Sequence, residues 1–176
     1  MRYAQIRDMD ISNGEGIGVS LFVQGCHFHC DGCFNKETWD FDGGHEFTVK
    51  ENAEIIKLIK KPFISRFSIL GGEPLAKENV GGVYYTITSI KAICPDKKIW
   101  LYTGYNFDDF AWEEHDKGQI TVSSMRTEIL RMCDVVVDGP YDKTCPANYM
   151  HPWKGSMNQR VIDVKRSITE GKVIEI

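Results

Sequence analysis

Four short apolar runs in this chain each end abruptly in small or polar residues. Val19-Ser20-Leu21-Phe22-Val23 runs into Gln24-Gly25, and Phe67-Ser68-Ile69-Leu70 into Gly71-Gly72. Ile99-Trp100-Leu101-Tyr102 runs into Thr103-Gly104, and Val135-Val136-Val137 into Asp138-Gly139-Pro140. Runs of this length, rich in β-branched and aromatic residues, read as buried strands. Helical patterns lie between them. Thr48 and Glu51 have capping-box spacing ahead of Ile55, Ile56, Leu58 and Ile59, and Pro62 stops that helix. Tyr84, Ile87, Ile90 and Lys91 place a mostly apolar stripe on a second helix, Val83 to Ile93, which Pro95 ends. Ser124 to Met132 reads as a third helix, and Arg160-Val161-Ile162-Asp163-Val164 as a fifth strand. Asn106 to Gly118 is acidic and reads as either helix or loop.

Strands alternating with helices predict an α/β fold with right-handed crossovers. Ligands of such sheets sit at the carboxyl ends of the strands. If the sheet is parallel, the four small-residue ends converge on one edge. A closed eight-fold barrel takes about 250 residues. The 176 residues here, with no internal repeat or linker, predict an open, partial barrel in a single domain, residues 1–176.

Six cysteines are unevenly placed: Cys26, Cys30 and Cys33 crowd one loop, while Cys94, Cys133 and Cys145 are scattered. Met1-Arg2-Tyr3-Ala4-Gln5 lacks the apolar stretch of a signal peptide. No apolar run approaches the ~20 residues of a membrane span. A soluble, cytoplasmic protein is therefore expected, with its cysteines reduced or metal-bound. The net charge of −4 argues against a nucleic-acid partner bound through phosphate neutralisation.

Cys26-x-x-x-Cys30-x-x-Cys33 offers three thiolates on one loop after the first strand. A cubane normally takes four cysteines. Three protein ligands leave one iron open to the amino and carboxylate groups of a methionine-like cosubstrate, S-adenosylmethionine. Two other readings fit the same residues. Zinc would recruit His27 or His29 as a further ligand. A plain electron-transfer cluster would take its fourth ligand from Cys94, Cys133 or Cys145. Taken singly, those three cysteines read as small apolar packing residues.

The chain resembles the radical S-adenosylmethionine superfamily and, within it, the activating proteins of anaerobic (class III) ribonucleoside-triphosphate reductases. The matching stretches, in order, begin with Asp10-Ile11-Ser12-Asn13-Gly14-Glu15-Gly16, Leu21-Phe22-Val23-Gln24-Gly25-Cys26 and Cys30 to Trp39. Gly71-Gly72-Glu73-Pro74-Leu75, Ile99 to Tyr105, Val137 to Tyr141 and Gly155 to Arg160 follow. The cysteine motif alone marks the superfamily. Its combination with Trp100-x-Tyr102-Thr103-Gly104-Tyr105 and Gly155-Ser156-x-Asn158-Gln159-Arg160 is far more specific.

The resemblance implies a partial parallel β/α barrel of the radical SAM type, one 4Fe–4S cluster, and S-adenosylmethionine as cosubstrate. It implies a protein substrate, the large subunit of the reductase, on which a glycyl radical is generated. A flavodoxin-like donor would supply the electron. Cys26, Cys30 and Cys33 become the cluster ligands, with Gly32, Cys33 and Phe34 beside the cosubstrate. Gly71, Gly72 and Glu73 meet the methionine amino group, with Glu73 or Pro74 fixing the turn. Thr103 or Asp138 would touch the ribose or carboxylate. Asn158-Gln159-Arg160 would pair with the methionine carboxylate or with the partner's glycine loop. Pro140 to Trp153 is longer than in short members and carries no assigned role. The acidic residues Asp108, Asp109, Glu113, Glu114 and Asp116 read as a solvated face or a docking surface. A radical enzyme with a small-molecule substrate is the rival reading. An open barrel favours a protein substrate, because a small-molecule enzyme must seal its own pocket from water.

Overall fold

A computed structural model describes residues 1–114 and 119–176. Among the described residues, seven strands form one open sheet and four α-helices pack on it. The strands are β1 (Arg2–Asp10), β2 (Gly18–Val23), β3 (His45–Glu46), β4 (Arg66–Gly71), β5 (Lys98–Tyr102), β6 (Val135–Asp138) and β7 (Arg160–Asp163). The helices are α1 (Val49–Ile59), α2 (Val80–Ile93), α3 (Val122–Met132) and α4 (Val164–Glu170). Across the sheet the order is β3-β1-β2-β4-β5-β6-β7.

The four apolar runs are the central strands β2, β4, β5 and β6, and each is parallel to its neighbour. The edges depart from the expected parallel pattern. β1 pairs antiparallel with β2, β3 with β1, and β7 with β6. β7 runs antiparallel because a loop on the same edge of the sheet, 139–159, joins it to β6 with no helical crossover to carry the chain back. The architecture is therefore mixed α/β with an unclosed sheet.

Period-two alternation sorts the central strands into two faces. Val19, Leu21, Phe67, Ile69, Ile99 and Leu101 point to the helices and share one core with Ile55, Ile87 and Ile129. Trp100, Val137 and Val161 point the other way, with Trp153 packed against them. Loops cover that second face. A Cβ on Gly14 would lie 2.8 Å from the Trp100 ring, so the 11–17 loop presses directly on it. Trp153, from the 139–159 loop, meets Trp100 edge to face with ring centroids 5.1 Å apart.

Helix boundaries follow local chemistry. Thr48 caps α1, its hydroxyl accepting from the Lys50 N–H while its own N–H donates to Glu51. α2 starts at Val80, earlier than the expected Val83, because Gly81 and Gly82 lie inside its first turn. A Cβ at Gly82 would come within 2.7 Å of the Met1 side chain, so the glycine admits the start of β1. β7 stops at Asp163, which caps α4 through the Arg166 N–H, and Gly171 ends that helix at φ +66°. In the acidic segment, Phe107–Asp109 is a 3-10 turn with Asp109 accepting from the Asn106 N–H. His115 to Gly118, including Asp116, lie outside the described residues. Among the described residues, no helix is long and apolar enough to cross a membrane.

One buried charge pair holds the loop-covered face. Arg66 on β4 is fully buried; its Nη2 donates to the Asp10 carbonyl at 2.8 Å and lies 3.3 Å from the Asp10 carboxylate. Its Nη1 donates to the Ser68 hydroxyl at 2.6 Å. Burial alone would raise the Asp10 carboxyl, but N–H groups of Asn13 and Ser12 bring it below the usual carboxylate value. Among the described residues, removing Arg66 leaves the buried Asp10 carboxylate with only the half-exposed Arg7 guanidinium, 3.8 Å away, as a cation. Arg66→Met should therefore cost about 3–5 kcal/mol of stability, read as a lower urea midpoint. An unchanged midpoint would show that this pair does not hold the β1–β4 junction.

Candidate functional site

β2 ends at Val23, and the next two residues fasten the cysteine loop. The buried Gln24 side chain donates to the carbonyls of Glu37 and Asp40. The Gly25 N–H donates to Thr38 at 2.8 Å and the Cys26 N–H to Trp39 at 3.0 Å. The segment from Cys26 to Trp39 therefore leaves and rejoins the sheet at one point. Gly25 has φ +96°, and a Cβ there would sit 2.1 Å from the Phe41 ring, so only glycine fits.

The ends of the four parallel strands form one cavity of about 420 Å³. Cys26, Cys30 and Cys33 all line it, together with Phe34, Gly71, Gly72 and Glu73. Thr103 and Gly104 enter from β5, and Gly139 and Tyr141 from β6. The predicted convergence of strand ends is thus observed. Gly32 packs with φ +77° against Tyr141 and Lys143, where a Cβ would come within 3.4 Å and 3.3 Å of them. Phe34 is exposed at the rim, its ring 5.0 Å from that of Tyr141.

Glu73 is fully buried. Its carboxylate accepts from the Leu75 N–H, the Thr103 hydroxyl and the Gly104 N–H, each at 2.8 Å. It therefore joins the end of β4 to the end of β5, fixing the turn with both oxygens engaged. Burial raises its carboxyl to about 7, against the pull of those three donors. Gly72 is held to the cysteine loop as tightly: a Cβ on it would lie 2.4 Å from the Gly25 carbonyl oxygen.

Other expected contacts are arranged differently. Asp138 is buried and accepts from Arg160 and from the Phe107 N–H, so its carboxylate is satisfied within the protein. The Arg160 guanidinium bridges Asp138 and Asp108 and is not presented to a ligand. Gln159 reaches the cavity, but its side chain accepts from Gly155 and Ser156 and donates to Gly139, bracing the 139–159 loop. Asn158 donates to the Pro140 carbonyl.

The competing ligands have other partners or lie in the core. His27 approaches Glu78 at 3.1 Å, and His29 stacks on Trp39. Cys94 and Cys133 are buried in the helix-side core. Cys145 sits in the 139–159 loop, its sulfur 3.5 Å from the Asn158 amide oxygen. Among the described residues, no three His, Cys, Asp or Glu side chains converge as the ligands of a single ion must. Three thiols lining one cavity are the kind of donor set a multi-iron cluster takes, each cysteine on its own iron. Burial pushes the Cys26 thiol up to about 11, and burial also raises Cys30. Ligation would convert these thiols to thiolates and release their protons. The cavity volume falls in the range of small-molecule sites. Tyr102 also lines the cavity, and its buried hydroxyl has no hydrogen-bond partner among the described residues.

Arg7, Ser12, Asn13, Tyr102, Trp153 and Lys154 also line the cavity and were given no role by sequence reasoning. Ser12 and Asn13 lie within a matching stretch, and Trp153-Lys154 directly precedes another, so position in the sequence was the available signal. Arg7 lies on β1, whose polar composition hides the strand.

A family model described as a 4Fe–4S single cluster domain matches residues 12–162. The chain is 35% identical over 161 residues to the anaerobic ribonucleoside-triphosphate reductase-activating protein of Enterobacteria phage T4, covering 92% of this chain and 93% of that one. Proteins of the same name from Salmonella typhi and Escherichia coli (strain K12) are 36% and 34% identical over 165 residues. Those matches cover 92% of this chain and 97% of each relative.

Glu73 predicts a pH dependence. Its folded carboxyl, at about 7, binds a proton more tightly than the ordinary value of 4.5. Between those values the folded state carries the proton and the unfolded state does not. Stability from this group is therefore present in full below 4.5 and is lost as pH rises to 7. The unfolding midpoint should fall across that interval, and Glu73→Gln should flatten the slope. An identical slope in both proteins would remove Glu73 as its source.

Proposed function

We propose, given that this chain belongs to the family of anaerobic ribonucleoside-triphosphate reductase-activating proteins and carries a 4Fe–4S single cluster domain, that it is a radical S-adenosylmethionine enzyme. In this reading Cys26, Cys30 and Cys33 hold one 4Fe–4S cluster, and S-adenosylmethionine binds beside it. The observation that carries the reading is the single cavity shared by three thiols and the ends of four parallel strands. That arrangement also supports describing the parallel half of the sheet as an open β/α barrel of the radical SAM type. The reduced cluster, when bound, supplies the electron that cleaves the cosubstrate to a 5′-deoxyadenosyl radical. The target is a glycine of the reductase large subunit in the cytoplasm, and a flavodoxin-like protein is the electron source.

The protein's own residues hold the reactants. Glycines at 71 and 72 bring backbone close to the cysteine loop without side chains in the way. Their position at a strand end suits them to receive the methionine amino group on backbone carbonyls. Glu73 keeps that turn in place through Thr103 and Gly104. Phe34 and Tyr141 wall the mouth with aromatic surface. Gly32, between Cys30 and Cys33, allows the loop to turn tightly against Tyr141 and Lys143.

Replacing Cys26, Cys30 or Cys33 by Ala should abolish cluster binding, read as iron content after anaerobic reconstitution. It should also abolish the glycyl radical signal in the electron paramagnetic resonance spectrum of the reductase subunit. Cys145→Ala should keep both. A full cluster and radical signal in any of the three loop variants refutes the ligand assignment. Cluster loss in Cys145→Ala would point to a fourth protein ligand and to plain electron transfer.

A further inference from the structure

We propose that Lys154 is the cationic partner of the cosubstrate's methionine carboxylate, an inference that rests on the cavity being the S-adenosylmethionine site. Two cationic side chains line that cavity, Arg7 and Lys154. Arg7 is engaged elsewhere. Its guanidinium lies 4.3 Å above the Phe22 ring, its Nε donates to Gln5, and it sits 3.8 Å from the Asp10 carboxylate. The Lys154 ammonium donates to one backbone carbonyl, that of Gln159, at 3.0 Å. A lysine has three donors, which leaves two. Glu73, the acid that lines the same cavity, is engaged by Leu75, Thr103 and Gly104, while Asp31 pairs with Lys143, and Asp138 and Asp108 pair with Arg160. Among the described residues, Lys154 is thus a cavity cation with no carboxylate of its own.

The segment carrying this lysine is held firmly. Trp153, just before it, has φ +69°, a left-handed backbone that a bulky residue rarely adopts. Packing of its ring on Trp100 holds it there. Just after it, the Gly155 and Ser156 N–H groups both donate to the Gln159 side chain. Backbone strain enforced from both sides is a feature of sites that must be positioned before a ligand arrives. The placement is also apt. A Cβ on Gly155 would lie 3.2 Å from the Phe34 ring, so the segment abuts the residue that follows Cys33. A methionine group held at the cysteine loop by its amino end has its carboxylate within the same part of the cavity. Charge-assisted hydrogen bonds from an ammonium are strong enough to orient it.

The test is equilibrium binding to the cluster-loaded protein, kept oxidised so that nothing turns over. S-adenosylmethionine is compared with decarboxylated S-adenosylmethionine, on wild type, Lys154→Met and Lys154→Arg. Loss of a hydrogen bond to a charged group predicts about 10- to 100-fold weaker binding of S-adenosylmethionine by Lys154→Met. The decarboxylated ligand should bind wild type and Lys154→Met alike, and Lys154→Arg should recover most of the affinity for S-adenosylmethionine. Equal weakening of both ligands would show only a disturbed loop and overturn the proposal, as would unchanged binding of S-adenosylmethionine. If wild type binds neither ligand, the cosubstrate site itself is wrongly placed and the proposed function falls first.

Discussion

Hydrogen bonds to the turn after β4 tie three strand ends together. The Glu73 carboxylate accepts from Leu75 in its own turn and from Thr103 and Gly104 at the end of β5. The Asn79 side-chain amide, at the head of α2, donates to the carbonyls of Gln24 and Glu73 at 2.9 and 3.0 Å. The Glu73 N–H donates to Gly25 at 2.8 Å, where the cysteine loop begins. Residues far apart in sequence are therefore fixed relative to one another at the mouth of the cavity. A buried carboxylate is costly unless its oxygens are satisfied. Here three donors meet that requirement, and two of them belong to the strand it must align.

The other end of β4 carries a second buried charge. Arg66 joins β4 to the end of β1 through Asp10. Asp10 in turn organises the Ser12–Asn13 segment, whose N–H groups it accepts. Charge is thus used twice, once to align strand ends and once to hold the loop that covers the face away from the helices. The cavity is lined by the Cys26 and Cys30 thiols, both raised by burial, and by Lys154, whose ammonium donates to the Gln159 carbonyl. Cluster uptake there couples thiol deprotonation to metal binding, so assembly should favour higher pH.

Much of this was legible in the sequence because parallel central strands are buried on both faces and read as continuous apolar runs. β2, β4, β5 and β6 stand out for that reason, and their small terminal residues mark the cavity. β1 was not legible: Arg2-Tyr3-Ala4-Gln5-Ile6-Arg7-Asp8-Met9-Asp10 is mostly polar, as a half-exposed strand near the sheet edge can be. α4 had signals, Asp163 as cap and Gly171 as terminator, but its residues continue directly from a strand. Arg160 and Asp138 were each read as ligand contacts. They are cross-strand partners in the β6–β7 register, which sequence separation conceals, and they satisfy each other. Lys154 was invisible for the converse reason: its significance lies in the carboxylate it lacks.

The central claim is that three cysteines on one loop leave an iron open to a cosubstrate that is then cleaved. It is tested most directly by reconstituting the cluster anaerobically, reducing it, adding S-adenosylmethionine and quantifying 5′-deoxyadenosine. Formation of the nucleoside by the wild-type protein, and its absence from variants lacking a loop cysteine, is the expected result. No nucleoside from a protein with a verified, reducible cluster, even with the reductase subunit present, would contradict the account and leave an electron-transfer protein in its place.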